Sequence, residues 1–193
     1  MSYTRKIVVT CAPLISSILA QEVEALGMPV KSINRLDVET EGTLLDAMKL
    51  NLQLRTAHRV LYQLQTFSVN QPDELYQTIY DYPWENQIPL DGYFSVQSYV
   101  NHPSLTDYRF ANLKVKDAIA DRFMKQFGRR PDSGPKSEQA VLFLYWTEQE
   151  AAIYLDTSGE SLSKRGYREV TVAAPMQESL AAALLLSANW HPS

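Results

Sequence analysis

The residues best equipped for chemistry are cations set among hydroxyls. The stretch Asp156-Thr157-Ser158-Gly159-Glu160-Ser161-Leu162-Ser163-Lys164-Arg165-Gly166-Tyr167-Arg168 has neither a helical nor a strand period, so it reads as a loop. Lys164, Arg165 and Arg168 are suited to phosphate oxygens, and Gly159 and Gly166 permit a positive φ or a close backbone approach. Tyr167 either stacks on a base or packs beneath the arginines. A second group lies on the segment Asp107 to Phe127, whose period predicts a long helix ending at Gly128. Arg109 and Lys116 are seven residues apart within its apolar arc, near the helix start, where free N–H groups favour an anion. The competing reading is that their stems run along the core edge. Arg129 and Arg130 follow in a Pro- and Gly-bearing connection.

Other chemistries are poorly supported. Cys11 is the single cysteine, which excludes disulfide frameworks and Cys-x-x-Cys motifs. His58, His102 and His191 have no ligand spacing, so no metal site is expected; His58 is expected to be structural, and His102 is a loop residue without an evident partner. No Gly-x-Gly pair exists for a nucleotide loop and no Gly-x-Ser-x-Gly elbow for acyl transfer. The carboxylate pairs Glu22/Glu24 and Glu148/Glu150 sit in helix-face and turn contexts, and no catalytic residue is assigned.

The 193 residues carry a net charge of −4, from 18 basic and 22 acidic side chains. That average conceals its distribution. Residues 1–108 hold 7 basic and 12 acidic side chains, whereas 109–168 hold 11 and 8. A local basic surface is what phosphate binding requires, whatever the whole-chain charge. No apolar run approaches the ~18 residues of a bilayer span, and the first twenty residues lack a signal-peptide pattern, so a cytoplasmic protein with no membrane contact is expected.

The elements that must position these residues fall into two halves. Lys6 to Thr10 reads as a strand. Pro13 is placed at the first position of a helix whose buried face includes Leu14, Ile15, Ile18, Leu19 and Leu26, and Gly27 ends it. Val30 to Thr40 suits one or two strands, Thr43 to Thr56 a second helix, and Val60 to Val69 a further strand. This is the β-α-β-β-α-β order of a ferredoxin-like unit. Beyond Gln71-Pro72-Asp73, with Asp73 as cap, come a short helix to Tyr80 and a strand from Tyr93 to Val100. After the long helix, a hairpin joins Val141–Trp146 to Ala151–Leu155, its first strand apolar enough to be covered on both faces. On the long helix, Val115, Ile119, Phe123 and Phe127 form the buried stripe, and Asp121 and Lys125 an i,i+4 pair. A last helix from Pro175 to Asn189 is apolar all round and needs a surface to cover it.

At this point the residues resemble a known family. Asp156-Thr157-Ser158-Gly159-Glu160-Ser161-Leu162 with Lys164-Arg165-Gly166-Tyr167-Arg168 is similar to the signature closing a THUMP domain in bacterial RNA methyltransferases, long described as N6-adenine-specific DNA methylases. Leu54-Arg55-Thr56-Ala57 resembles their N-terminal ferredoxin-like unit and Asn112-Leu113-Lys114-Val115-Lys116-Asp117 their THUMP helix. Glu178-Ser179-Leu180-Ala181-Ala182-Ala183-Leu184 resembles the helix leading into the catalytic domain.

The resemblance implies an α+β chain: a ferredoxin-like unit (1–70), a THUMP α/β domain (71–168), and a helix (169–193) at the start of a Rossmann-like methyltransferase domain absent from these residues. It implies RNA, ribosomal by the nearest resemblance, as partner, together with the methyltransferase domain of the same protein. S-adenosylmethionine would be the cofactor of that domain, with none held by this chain, and guanine N2 of large-subunit ribosomal RNA the target. The 193 residues alone would then be inactive. The alternative is an RNA-binding adaptor with no enzyme attached. In either case the expected RNA contacts are Arg109, Lys114, Lys116, Arg129, Arg130, Lys164, Arg165, Tyr167 and Arg168.

Overall fold

Strand β1 (Arg5–Cys11), helix α1 (Ser16–Ala25), strands β2 (Val30–Ile33) and β3 (Asp37–Gly42), helix α2 (Leu44–Gln53) and strand β4 (Ala57–Phe67) realise the β-α-β-β-α-β order. The computed structural model describes residues 3–105, 107–148, 150–166, 168–170 and 173–190. They form two compact units. One comprises residues 1–62 with 160–193, the other residues 63–159. The segment from 160 to 168, expected with the second domain, is thus part of the first unit.

In the first unit the strands lie in the order β2-β3-β1-β4, with β1 antiparallel to both neighbours. Alternation along β1 buries Ile7, Val9 and Cys11. Thr43 opens α2 with a capping box: its hydroxyl accepts from the Asp46 N–H at 3.2 Å and the Asp46 carboxylate accepts from the Thr43 N–H at 2.8 Å. The start of α1 differs from expectation. The Cys11 N–H is still bound to the Leu36 carbonyl at 2.8 Å, so residues 12–15 are consumed in turning from strand to helix. Pro13 therefore precedes the helix, Ile15 is its cap, and Leu14 takes a φ of 72° with its side chain exposed.

The second unit contains α3 (Pro72–Asp81), β5 (Tyr93–Asn101), α4 (Tyr108–Phe127), β6 (Asp132–Ser133), β7 (Ala140–Thr147) and β8 (Ala151–Asp156). Its strands follow the end of β4 in the order β8-β7-β5-β6. β5 and β7 are parallel from Phe94 opposite Ala140 to Asn101 opposite Thr147, and β7 and β8 form the expected antiparallel hairpin. Pro72 occupies the first helical position of α3 and Gln71 the cap, which moves Asp73 into the first turn. The helix starts within a residue of the expected point, with Asp107 as its cap, and Gly128, at φ 70°, ends it as expected. Phe127, beside that end, is half-exposed and not part of the buried stripe, which comprises Val115, Ile119 and Phe123. Leu142, Leu144 and Trp146 bury one face of β7. On its other face Val141 is covered, but Tyr145 is only half-buried and stacks on Tyr99, so β7 is enclosed on both sides at its start alone.

Helix α5 (Glu178–Ser187) belongs to the first unit and packs on α1. Being apolar all round does not enclose it: Ser179 and Ala183 are buried, whereas Leu184 and Leu185 stand about half-exposed. At the turn from α2 into β4, the buried carboxylate of Glu22 on α1 accepts from the Thr56 N–H at 3.0 Å, the Thr56 hydroxyl at 2.6 Å and the Arg55 Nε at 2.9 Å. Replacing Glu22 by Ala strands those donors, so Glu22→Ala is expected to lower stability by about 2 kcal/mol. A urea titration measures this, and an unchanged midpoint would contradict it.

Candidate nucleic-acid interface

The loop after β8 opens on an Asx turn, with the Asp156 carboxylate accepting from the Ser158 N–H at 2.9 Å. Gly159 and Gly166 adopt φ of 69° and 76°, so both positions use the freedom expected of them. Between them the Leu162 N–H donates to the His58 carbonyl at 2.8 Å, tying the loop to β4.

The three cations of the loop have different surroundings. Lys164 is exposed, and among the described residues no ion pair involves it. Arg165 is turned inward. Its guanidinium donates to the carbonyl of Asn51 at 2.8 Å and to that of Leu54, with a longer contact to Leu52 at 3.5 Å, and its N–H donates to the Glu178 carboxylate at 2.9 Å. Arg168 is exposed and its guanidinium donates to the Met176 carbonyl. Tyr167 lies outside the described residues.

The cations of the second unit are spread along α4. At its start Arg109 folds back on the capping Asp107, Nη2 to Oδ2 at 2.7 Å, so the helix terminus already faces a carboxylate of its own. This contact holds the Asp107 carboxyl below its usual range. Lys114 pairs with Asp73 at 2.8 Å and lies 5.5 Å from the Phe110 ring centre. Lys116 reaches the Gly134 carbonyl at 3.4 Å. Arg129 pairs with Asp91 at 2.8 Å with both groups largely exposed, a contact worth little in water, and Arg130 is exposed. A twenty-residue helix spans about 30 Å, so Arg109 and Arg129 stand at opposite ends of α4 and cannot hold one phosphate.

On the outer surface of α3 and α4, Tyr76 donates to Asp121 at 2.6 Å, which pushes the phenol up to about 12, and Lys125 lies 5.6 Å from the Tyr80 ring centre. These contacts stand where an Asp121–Lys125 pair was expected. Arg122 grips Glu85 with two bonds of 2.7 and 2.9 Å and holds its carboxyl below the usual range.

Both described histidines have partners that their sequence context hides. His102 Nδ1 is 2.7 Å from the Ser104 hydroxyl and its ring stacks on Trp146. His58 Nε2 lies 3.1 Å from the Ser179 hydroxyl on α5, a contact across 121 positions. Ser179 is fully buried, which makes this a structural pair and not an accessible nucleophile and base. Among the described residues no group of three His, Cys, Asp or Glu side chains could hold a metal ion.

The split βαβ sheet of the first unit, to which the cation-bearing loop belongs, and the two helices and mixed sheet of the second define a ferredoxin-like plus THUMP class of protein. A family model described as the RlmL ferredoxin-like domain matches residues 6–61, and the THUMP domain model matches residues 69–156. The chain belongs to the family of THUMP-containing bacterial methyltransferases, as their N-terminal ferredoxin-like and THUMP region. It is 40% identical over 176 residues to the Ribosomal RNA large subunit methyltransferase K/L of Allochromatium vinosum, a match covering 91% of this chain and 24% of that protein. A Listeria monocytogenes protein described as a predicted N6-adenine-specific DNA methylase superimposes with a TM-score of 0.84 at 33% identity, over 98% of this chain and 50% of that one. SMU.472, described as a methyltransferase and solved with SAH, does so with a TM-score of 0.83 at 30% identity, over 100% and 51%. The chain thus spans about a quarter of the curated relatives it matches and half of the solved ones.

Burial, with the Arg59 charge adding to it, lowers the His58 pKa below its ordinary 6.5. The unfolded chain then binds the proton more readily, so the His58 contribution to stability is complete above pH 6.5 and is lost as the pH falls through the window beneath it. Thermal unfolding across pH 5–8 should show this loss in the wild type and a shallower one in His58→Gln; identical slopes would refute it.

Proposed function

We propose that this chain is the RNA-binding portion of an S-adenosylmethionine-dependent RNA methyltransferase, acting on large-subunit ribosomal RNA at guanine N2. The THUMP domain over residues 69–156 carries this reading, and the curated relatives' name, Ribosomal RNA large subunit methyltransferase K/L, supports the ribosomal substrate. The methyl group would come from S-adenosylmethionine held by a domain outside these residues; SMU.472, a chain about twice as long, was solved with SAH. What these residues contribute is binding: exposed cations meet phosphates, and folded RNA is read by shape and unpaired bases. Arg109, Lys114, Lys116, Arg129, Arg130, Lys164, Arg165, Tyr167 and Arg168 are the contacts considered, and the exposed ones with weak or no internal partners, Arg129, Arg130 and Lys164, are the best placed. No helix among the described residues is long and apolar enough to cross a membrane, which accords with action on RNA in the cytoplasm.

The test is direct. The 193-residue chain should bind a large-subunit RNA fragment with an affinity that falls linearly in log salt, with a slope of about −0.7 per phosphate contacted on single strands. Arg129→Glu with Arg130→Glu should weaken binding by about tenfold and flatten that slope. Binding that is absent, or insensitive to salt and to this double substitution, would reject the reading.

A further inference from the structure

The α2–β4 junction is a buried reversal, with Leu54 and Thr56 almost inaccessible. Its N–H groups at Arg55 and Thr56 meet the Glu22 carboxylate. Its carbonyls at Asn51 and Leu54 meet the Arg165 guanidinium. Carbonyls at a helix C-terminus have no partner within the helix and also carry the negative end of its dipole, so a cation with several in-plane donors suits them. One residue back, Lys164 points to solvent, with its N–H bound to the Ser161 carbonyl at 3.0 Å.

We infer that Arg165 is a positioning residue, whose guanidinium closes the C-terminus of α2 and fixes the loop so that the neighbouring Lys164 is the loop's phosphate-contacting cation. This deepens the RNA-binding reading above and rests on it for the role of Lys164, whereas the clamp stands on intramolecular geometry. The inward turn of Arg165 follows from the reach and number of its donors: Nη2 bonds the Asn51 and Leu54 carbonyls together and Nη1 lies 3.5 Å from that of Leu52, whereas a lysine ammonium at this position ends one atom short of them. The Arg165 N–H is held by Glu178 in the first turn of α5, so the same residue links α2, the loop and α5. Arg168 takes a subordinate place, since its guanidinium is engaged with the Met176 carbonyl.

Three variants separate the roles: Lys164→Gln, Arg165→Lys and Arg165→Ala. Each is titrated against a fluorescent RNA hairpin with a single-stranded tail at 50 and 200 mM KCl, and amide hydrogen exchange is followed at Leu54, Arg55, Leu162 and Arg165 or its replacement. Lys164→Gln should weaken binding about threefold to tenfold at low salt and reduce the salt slope by about 0.7, with exchange unchanged. Arg165→Lys keeps the charge but ends one atom short of Nη2 and lacks the second nitrogen, so exchange at the four amides should rise about tenfold or more, as in Arg165→Ala, while the salt slope stays within error of wild type. Unchanged exchange in Arg165→Lys would overturn the clamp. A reduced slope in Arg165→Ala with unchanged exchange would make Arg165 a phosphate contact instead. Unchanged affinity and slope in Lys164→Gln would remove Lys164 from the interface. No RNA binding by the wild type would defeat the RNA reading itself and leave the exchange result to decide the clamp.

Discussion

A buried chain reversal must find a partner for every backbone N–H and C=O it takes out of water, and the first unit is organised around one such reversal. Between α2 and β4 the chain passes through Leu54 and Thr56, both almost wholly inaccessible to solvent, with Arg55 between them exposed. Leaving one such group unmatched costs about 1–3 kcal/mol, a large share of the stability of a small unit. Two charged side chains share the task by sign. Glu22, from α1, supplies acceptors to the N–H side; Arg165, from the returning segment, supplies donors to the C=O side. Because the two come from opposite ends of the chain, the reversal is satisfied only when α1, α2, β4 and the 160–168 segment are all in place.

That dependence explains why the compact unit is discontinuous in sequence. The family model of the ferredoxin-like domain ends at residue 61, yet residues 160–193 pack with it. The Leu162 N–H bound to His58, the His58–Ser179 pair and the Glu178–Arg165 contact all carry the returning segment onto elements of the first sixty residues. The second unit, between, has its own core, in which Trp84, Trp146 and Phe94 are fully buried and the two indole N–H groups are satisfied by the carbonyls of Ile79 and Val69.

What was legible in the sequence divides along the same physical line. Features set by neighbours in the chain came through: the extent of α4 and its end at Gly128, the β7–β8 hairpin, the βαββαβ order, and the positive φ at Gly159 and Gly166. Errors of two or three residues arose where two local signals competed. Asp73 has the chemistry of a cap, but Pro72 takes the first helical position and shifts the start. Pro13 looked like the same signal, but the strand beside Leu36 delays α1 by three residues. Contacts across the chain left no periodic trace. Arg165 and Leu54 are 111 positions apart, and nothing in the composition of the loop distinguishes its inward cation from its outward one. Glu22 reads in the sequence as a helix-face charge for the same reason, its partners Arg55 and Thr56 lying 33 and 34 positions away.

Counting cations therefore says little about a phosphate surface until their internal commitments are known. A guanidinium bound to several buried carbonyls would have to abandon them to meet a phosphate, exchanging satisfied groups for new ones at no clear gain. A solvated ammonium gives up only water and a counterion. By that criterion Arg122, held by Glu85, and Arg165 belong to the framework. Arg129, whose partner Asp91 is itself 80% exposed, is cheaply released because the ion pair it would lose is already screened by solvent. The net charge of −4 is compatible with a basic surface on these terms, since acidic side chains are concentrated before Arg109 and four of those, Asp73, Glu85, Asp91 and Asp107, pair with particular cations at short range. The field presented to an RNA depends on the uncommitted remainder.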